Sequence, residues 1–249
     1  MEKNSPSINH TIPTYAYLIG QIHWLSKQRK TTKERSIIRG INLSITVLLC
    51  TYIESALNEL FVYVINNLKE KTDDDSYLRL LNNLENRLLK ATWTQYMDIG
   101  KTLLPHSLLY YSDNEIWKGI SILFKLRNQL VHGKNIKASI QAENEVLQLK
   151  YSGIFKIALK YFKEKRILRP NELNSLNHKI LSTRTTNHFV EIGESFVDGI
   201  VKKVMKEQGI DNLGDFTAFK DNILMDFGIA YKPKKLSKSD IDAREGLPF

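Results

Sequence analysis

Apolar positions along most of the chain recur every three or four residues, which is the spacing of one helix face. Tyr15, Leu18, Ile19, Ile22 and Leu25 predict a helix over 15–28. Leu43, Val47, Cys50, Ile53, Leu57, Leu60, Val64 and Leu68 predict one long helix reaching about Glu70. Thr31, with Glu34 three residues on, offers its cap, and Gly40 is the place for a kink. Lys71–Asp75 reads as a turn, and Leu78, Leu81, Leu84 and Leu88 set the inner face of a helix over 77–89. A short helix over 91–104 stops at Pro105. Asp113 or Asn114 caps the next helix, Glu115 suits its N-terminus, and Gly133 stands where helices commonly end, just after His132.

The period then changes. Ile136, Ala138 and Ile140 alternate with polar residues, as do Val146 or Leu147, Leu149 and Tyr151, around Glu143-Asn144-Glu145. That pattern predicts a β-hairpin over 135–151. Helical spacing returns over 153–165, with Ile154, Ile157, Ala158, Tyr161 and Phe162 inward, and again over 183–208, where Gly209 ends the last long helix. Residues 168–179 read as a connection. The expected fold is all-α: a helical bundle with one small β-hairpin inserted after the helix that ends at His132. Residues 14–230 read as one domain, preceded by a flexible lead-in over 1–13. A basic, mobile tail follows over 231–249, where Lys232, Lys234, Lys235 and Lys238 have little to bury.

Composition agrees. Glycine and proline number only 12 and 6 in 249 residues, too few turn residues for a sandwich or barrel of many short strands. The single cysteine, Cys50, excludes an intramolecular disulfide and a cysteine zinc site, and its apolar surroundings make it a core residue. The polar N-terminus lacks the apolar run of a secretory signal. The most apolar stretch, 41–65, is interrupted by Asn42, Glu54, Asn58 and Glu59, so no membrane span and a cytoplasmic protein are expected. A net charge of +9 is compatible with a polyanionic partner. No glycine-rich phosphate loop is visible, and the histidines lack metal-ligand spacing, so neither a cofactor nor a metal is expected.

One constellation carries chemistry. Phe124-Lys-Leu-Arg127-Asn128-Gln-Leu-Val-His132-Gly133 closes an apolar helix. An arginine, a polar neighbour and a histidine four residues beyond it resemble the signature of the HEPN family, the "higher eukaryotes and prokaryotes nucleotide-binding" domains. The glycine after the histidine agrees. So does the preceding helix with Tyr52-Ile53-Glu54-Ser55-Ala56-Leu57-Asn58-Glu59-Leu60, which resembles the acidic helix ahead of the motif in many members. The resemblance implies a HEPN-like bundle and a metal-independent endoribonuclease, with Arg127, Asn128 and His132 catalytic. Glu54, Glu59 and Glu70 read most simply as helix-surface or interhelix charges, and a supporting role for Glu54 in orienting Arg127 is a further reading. Lys125, Lys134 and Lys137 are the nearby cations expected on RNA. It also implies a prokaryotic toxin or anti-phage role, with an antitoxin or defence-system partner.

The residue types suit that chemistry. RNA cleavage without metal needs a base for the ribose 2′-hydroxyl and an acid for the leaving oxygen, and histidine serves either near neutrality. A guanidinium meets two phosphate oxygens at once, which an ammonium does not. Asn128 stands four residues before His132, on the same helix face, where it can orient the ring. Arg127 and His132, however, lie about 140° apart around a regular helix. In the HEPN family two motifs face each other across a dimer cleft, so the resemblance implies a homodimer with a composite site. The alternative reading keeps the fold and drops the activity. Arg127 then pairs with Glu54 inside the bundle, His132 merely caps its helix, and the protein is a dimeric module binding nucleic acid or another protein.

Two further features bear on this reading. In toxins regulated by a nucleotidyltransferase antitoxin, a modifiable tyrosine follows one residue after the histidine. Here Gly133 and Lys134 follow, which speaks against that regulation. A second cluster, Arg184-Thr-Thr-Asn187-His188 with Glu191 and Glu194, is one residue short of the motif and reads as a solvated or interface face.

Overall fold

The computed structural model describes residues 14–132, 138–143, 146–168 and 180–209, with 138–151 by their backbone alone. The described part is predominantly helical. Its elements are α1 (Thr14–Thr31), α2 (Arg35–Lys69), α3 (Asp75–Leu88), α4 (Trp93–Leu103), the single turn α5 (Leu108–Tyr111) and α6 (Asn114–Val131). Strands β1 (Ala138–Glu143) and β2 (Val146–Tyr151) come next, then α7 (Gly153–Glu164) and α8 (Thr183–Glu207). The strands pair antiparallel, Ala138 opposite Tyr151 and Glu143 opposite Val146. The lead-in, the link at 144–145, the connection at 169–179 and everything after Gly209 lie outside the described residues.

Helix α2 is the axis. Its 35 residues run about 52 Å at 1.5 Å per residue, and α1, α3, α4, α6 and α8 all pack on it. The buried surface of α2 is therefore wider than one stripe. Cys50, Ile53, Leu57, Leu60 and Val64 are buried as the spacing predicts, but so are Ile45, Leu49, Tyr52, Ala56, Phe61 and Ile65 on the adjoining face. By length and composition α2 would reach across a membrane. Here it is the core helix, and one of its carboxylates, Glu54, is ion-paired to α6.

Several boundaries have a visible cause. Asp74 caps α3 by accepting from the N–H groups of Ser76 and Tyr77, and Asp113 caps α6 through Glu115 and Ile116. A capping box between Thr92 and Gln95 starts α4. Gly209, at φ +66°, takes the left-handed conformation just past α8. Thr31 behaves otherwise than the sequence suggests. It is the last residue of α1 and returns its hydroxyl to the Gln28 carbonyl, while Glu34 stands before α2 without a side-chain cap. In α7 the inner positions are Phe155, Ala158, Tyr161 and Phe162, and Ile157, expected inside, is half exposed. Phe155, about 200° away around the helix, faces the core instead.

Two glycines set how closely helices cross. A Cβ on Gly193 of α8 would stand 2.8 Å from Leu49 Cδ1 on α2. One on Gly119 of α6 would stand 2.4 Å from Ile192 Cδ1 on α8 and 2.5 Å from the Tyr161 hydroxyl on α7. The first approach holds α8 against α2, and the second holds α6, the motif helix, against both α7 and α8.

Candidate functional site

Helix α6 delivers the motif. Its buried face is Gly119, Ile120, Ile122, Leu123, Phe124 and Leu126, so the residues after Leu126 leave the core at the last turn. Arg127 sits at that margin, about three-quarters buried. Its guanidinium Nη2 donates to Glu54 Oε1 at 2.9 Å, linking α6 to the middle of α2. The guanidinium carbon also lies 5.5 Å from the centroid of the Phe124 ring. Phe124 in turn stacks on Trp93 at 3.9 Å between centroids, with the planes only 18° apart. Arg127 is thus braced by a carboxylate on one side and an aromatic pair on another. Its Nε has no partner among the described residues.

The electrostatics around Arg127 are not those of a free surface pair. Burial pushes the Glu54 carboxyl above its ordinary range, although the Arg127 guanidinium and the Trp93 main-chain N–H pull the other way. Desolvation outweighs the pairing. Cys50, one turn before Glu54 on α2, also feels Arg127, yet burial raises its thiol to about 12. A thiol so held is protonated at neutral pH and is no nucleophile.

Asn128 and His132 face the other way. Both are exposed, as is Lys125. His132 ends α6, its backbone N–H bonded to the carbonyls of Asn128 and Leu130. Neither side chain has a partner among the described residues. Within one chain the structure therefore brings Arg127 and Glu54 together and leaves Asn128 and His132 on open surface. Lys134 and Lys137 lie outside the described residues. Among the described residues, no group of three or more His, Cys, Asp or Glu side chains is disposed to hold a metal.

The second cluster is divided: Arg184, Asn187 and Glu191 are exposed, as on a solvated face, whereas His188 and Glu194 are partly buried. His188 is partly buried on α8, its Nε2 2.7 Å from the Tyr161 hydroxyl. Burial, and then Lys165, lower its pKa. Arg184 donates to the Ile167 carbonyl at 3.3 Å, and Glu194 pairs with His23 of α1 at 2.6 Å. Sequence reasoning also missed Trp93 as part of the Arg127 setting. The only signal was its place at the first position after the Thr92 cap, which aims its N–H outward along α4 toward whatever acceptor α2 offers.

No family model, curated protein or solved structure matches the chain.

Proposed function

We propose that the protein is a metal-independent endoribonuclease of HEPN type, acting as a homodimer. The observation that carries this reading is the division of labour on α6. Arg127 is held rigid by Glu54 and Phe124, while His132, five residues on, is exposed and unpaired among the described residues. A fixed guanidinium suits the charge that grows on phosphate oxygens, because it needs no reorganisation as that charge develops. Glu54 takes a single N–H of the five a guanidinium carries, which leaves donors for phosphate. An accessible imidazole suits proton transfer at the 2′-hydroxyl and at the leaving 5′-oxygen. The composite site holds two such histidines and two arginines, with Asn128 orienting each ring. The products are a 2′,3′-cyclic phosphate and a 5′-hydroxyl end. A cytoplasmic toxin or anti-phage role, with an antitoxin or defence-system partner, goes with this reading.

A second reading has its own observation. The Arg127–Glu54 pair also suffices as a bond between α6 and α2, as in a non-catalytic dimeric module that binds nucleic acid or a protein. Incubation of the purified protein with total RNA and with transfer RNA, in the presence of chelator, separates the two. Cleavage leaving cyclic-phosphate ends supports the nuclease, and RNA left intact under all conditions supports the module.

A further inference from the structure

The corner between α1 and α2 concentrates charge that the motif does not use. Over residues 27–39 stand Lys27, Arg29, Lys30, Lys33, Arg35 and Arg39 against a single acid, Glu34. That is a surplus of five within thirteen residues, more than half of the +9 on the whole chain. Lys27, Lys30, Lys33, Arg35 and Arg39 are all exposed. None of them has a carboxylate partner among the described residues. Some cations elsewhere are paired, Lys69 with Glu85, Lys118 with Glu164 and Lys165 with Glu115, each within 2.7 Å. The only acid at the corner is turned aside, its carboxylate accepting from the Ser36 hydroxyl.

The sixth cation, Arg29, is built in. It is only 5% exposed. Its Nη1 donates to the Asn42 side-chain oxygen of α2 and its Nη2 to the Asn187 side-chain oxygen of α8. Asn42 is itself oriented by donating to the Leu181 carbonyl at 2.7 Å. Neutral amides accept from both Nη atoms of Arg29 without cancelling its charge, while its Nε has no partner among the described residues, so the corner keeps a fixed positive centre beneath its five exposed ones. The same bonds tie the end of α1 to α2 and α8, which holds the exposed cations in place.

We propose that the α1–α2 corner is a docking surface for the RNA backbone, separate from the motif. The inference takes RNA as the polyanion from the proposed function, but neither Arg127 nor His132 enters it. Arg39 and Glu54 lie on one helix, fifteen residues or about 22 Å apart. A strand held at the corner therefore reaches the Arg127–Glu54 pair along α2, within the length of several nucleotides. Trp24, 40% exposed on α1 one turn before Lys27, offers a face for an unpaired base. A bilayer is the less suitable partner, because the apolar face of α1, with Tyr15, Ile19 and Ile22, is already buried in the core.

The test uses binding in a His132→Ala background, read by fluorescence anisotropy of a labelled single-stranded RNA over a range of KCl concentrations. Replacing Lys30, Lys33 and Arg35 by Gln is compared with replacing the equally exposed Arg79, Arg87 and Lys90 of α3 and its end. Each phosphate contact adds about 0.7 to the slope of log affinity against log salt for a single strand. The corner triple should lower that slope by about two, and the α3 triple should leave it unchanged. Equal effects of the two triples, or an unchanged slope in the corner triple, would overturn the proposal. So would a corner triple that keeps its RNA affinity but is released from phosphatidylserine vesicles. A protein that never cleaves RNA but shows the predicted slopes defeats the nuclease reading and leaves this one standing.

Discussion

At the scale of single residues, the decisive question is what Glu54 does for Arg127. Its carboxyl is raised by burial despite the guanidinium beside it. A carboxyl with a higher pKa in the folded chain than in the unfolded one contributes stability below the unfolded value, about 4.3, and loses it as pH rises through the folded value. Glu54→Gln removes that titration and keeps an oxygen for Arg127. The stability of the natural protein relative to Glu54→Gln should therefore fall as pH rises from about 4 through the weakly acidic range, then level off toward pH 8. Urea denaturation of both proteins at several pH values measures this, and a difference that grows with pH would mean that the ion pair outweighs burial.

His132 offers the complementary case. It is exposed and packs on nothing described, so His132→Ala should abolish cleavage while shifting stability by no more than about 0.5 kcal/mol. Arg127→Lys should cost about 100-fold or more in rate, since an ammonium lacks the planar fork. A folded His132→Ala protein that cleaves at the natural rate would end the motif assignment. The chemical types at these positions were legible in the sequence, and so was Glu54 as one of the possible partners of Arg127. What spacing did not reveal is that Arg127 turns inward at the margin of the α6 core face, because the margin depends on how α2 and α4 pack there. Phe124 and Trp93, which come from different helices, become neighbours only in the folded chain.

At the scale of elements, periodicity located the helices well wherever one face is buried. It failed where a helix is covered on several sides or where two apolar candidates compete. The axis helix α2 buries two adjoining stripes because five helices surround it, so a single seam was too narrow a reading. Ile157 and Phe155 lie about 200° apart around α7, so only one of them can face the core, and it is Phe155. Within the otherwise exposed polar face of Arg184, Asn187 and Glu191, His188 is half-buried for a related reason. The polar sequence around it looks solvated, yet Tyr161 reaches it from α7.

That contact has a pH signature. A histidine with a lowered pKa in the folded state contributes stability above its unfolded value, about 6.5, and loses it as pH falls through the folded value. Stability should thus decline below about pH 6.5, and His188→Gln should flatten that decline over the same window. Thermal unfolding across this range checks it, and an unchanged pH profile in the variant would remove His188 as the cause. The same junction explains why Gly119 is small. Gly119→Ala would press on the Tyr161 hydroxyl and on Ile192, and should destabilise the protein by about 1–3 kcal/mol.

At the scale of the whole molecule, one chain is an incomplete nuclease under the proposed reading. Arg127 leans toward α2, and His132 points to open surface about 140° away around the helix. Val131, beside His132, is 53% exposed, an apolar residue on the same surface. A twofold contact over this end of α6 would bury Val131 and set each exposed imidazole against the other protomer's guanidinium. The face bearing Asn128 and His132 should then lie in or beside the dimer contact, and light scattering at micromolar concentration should report a dimer. A sharper check mixes two inactive variants, Arg127→Ala and His132→Ala, under conditions that allow exchange of protomers. The heterodimer keeps one natural arginine and one natural histidine, on different chains. If the working pair is formed between protomers, the mixture regains cleavage that neither variant has alone. No recovery despite demonstrated exchange would mean that one arginine and one histidine on different chains do not suffice, and a fully active monomer would remove the composite site altogether.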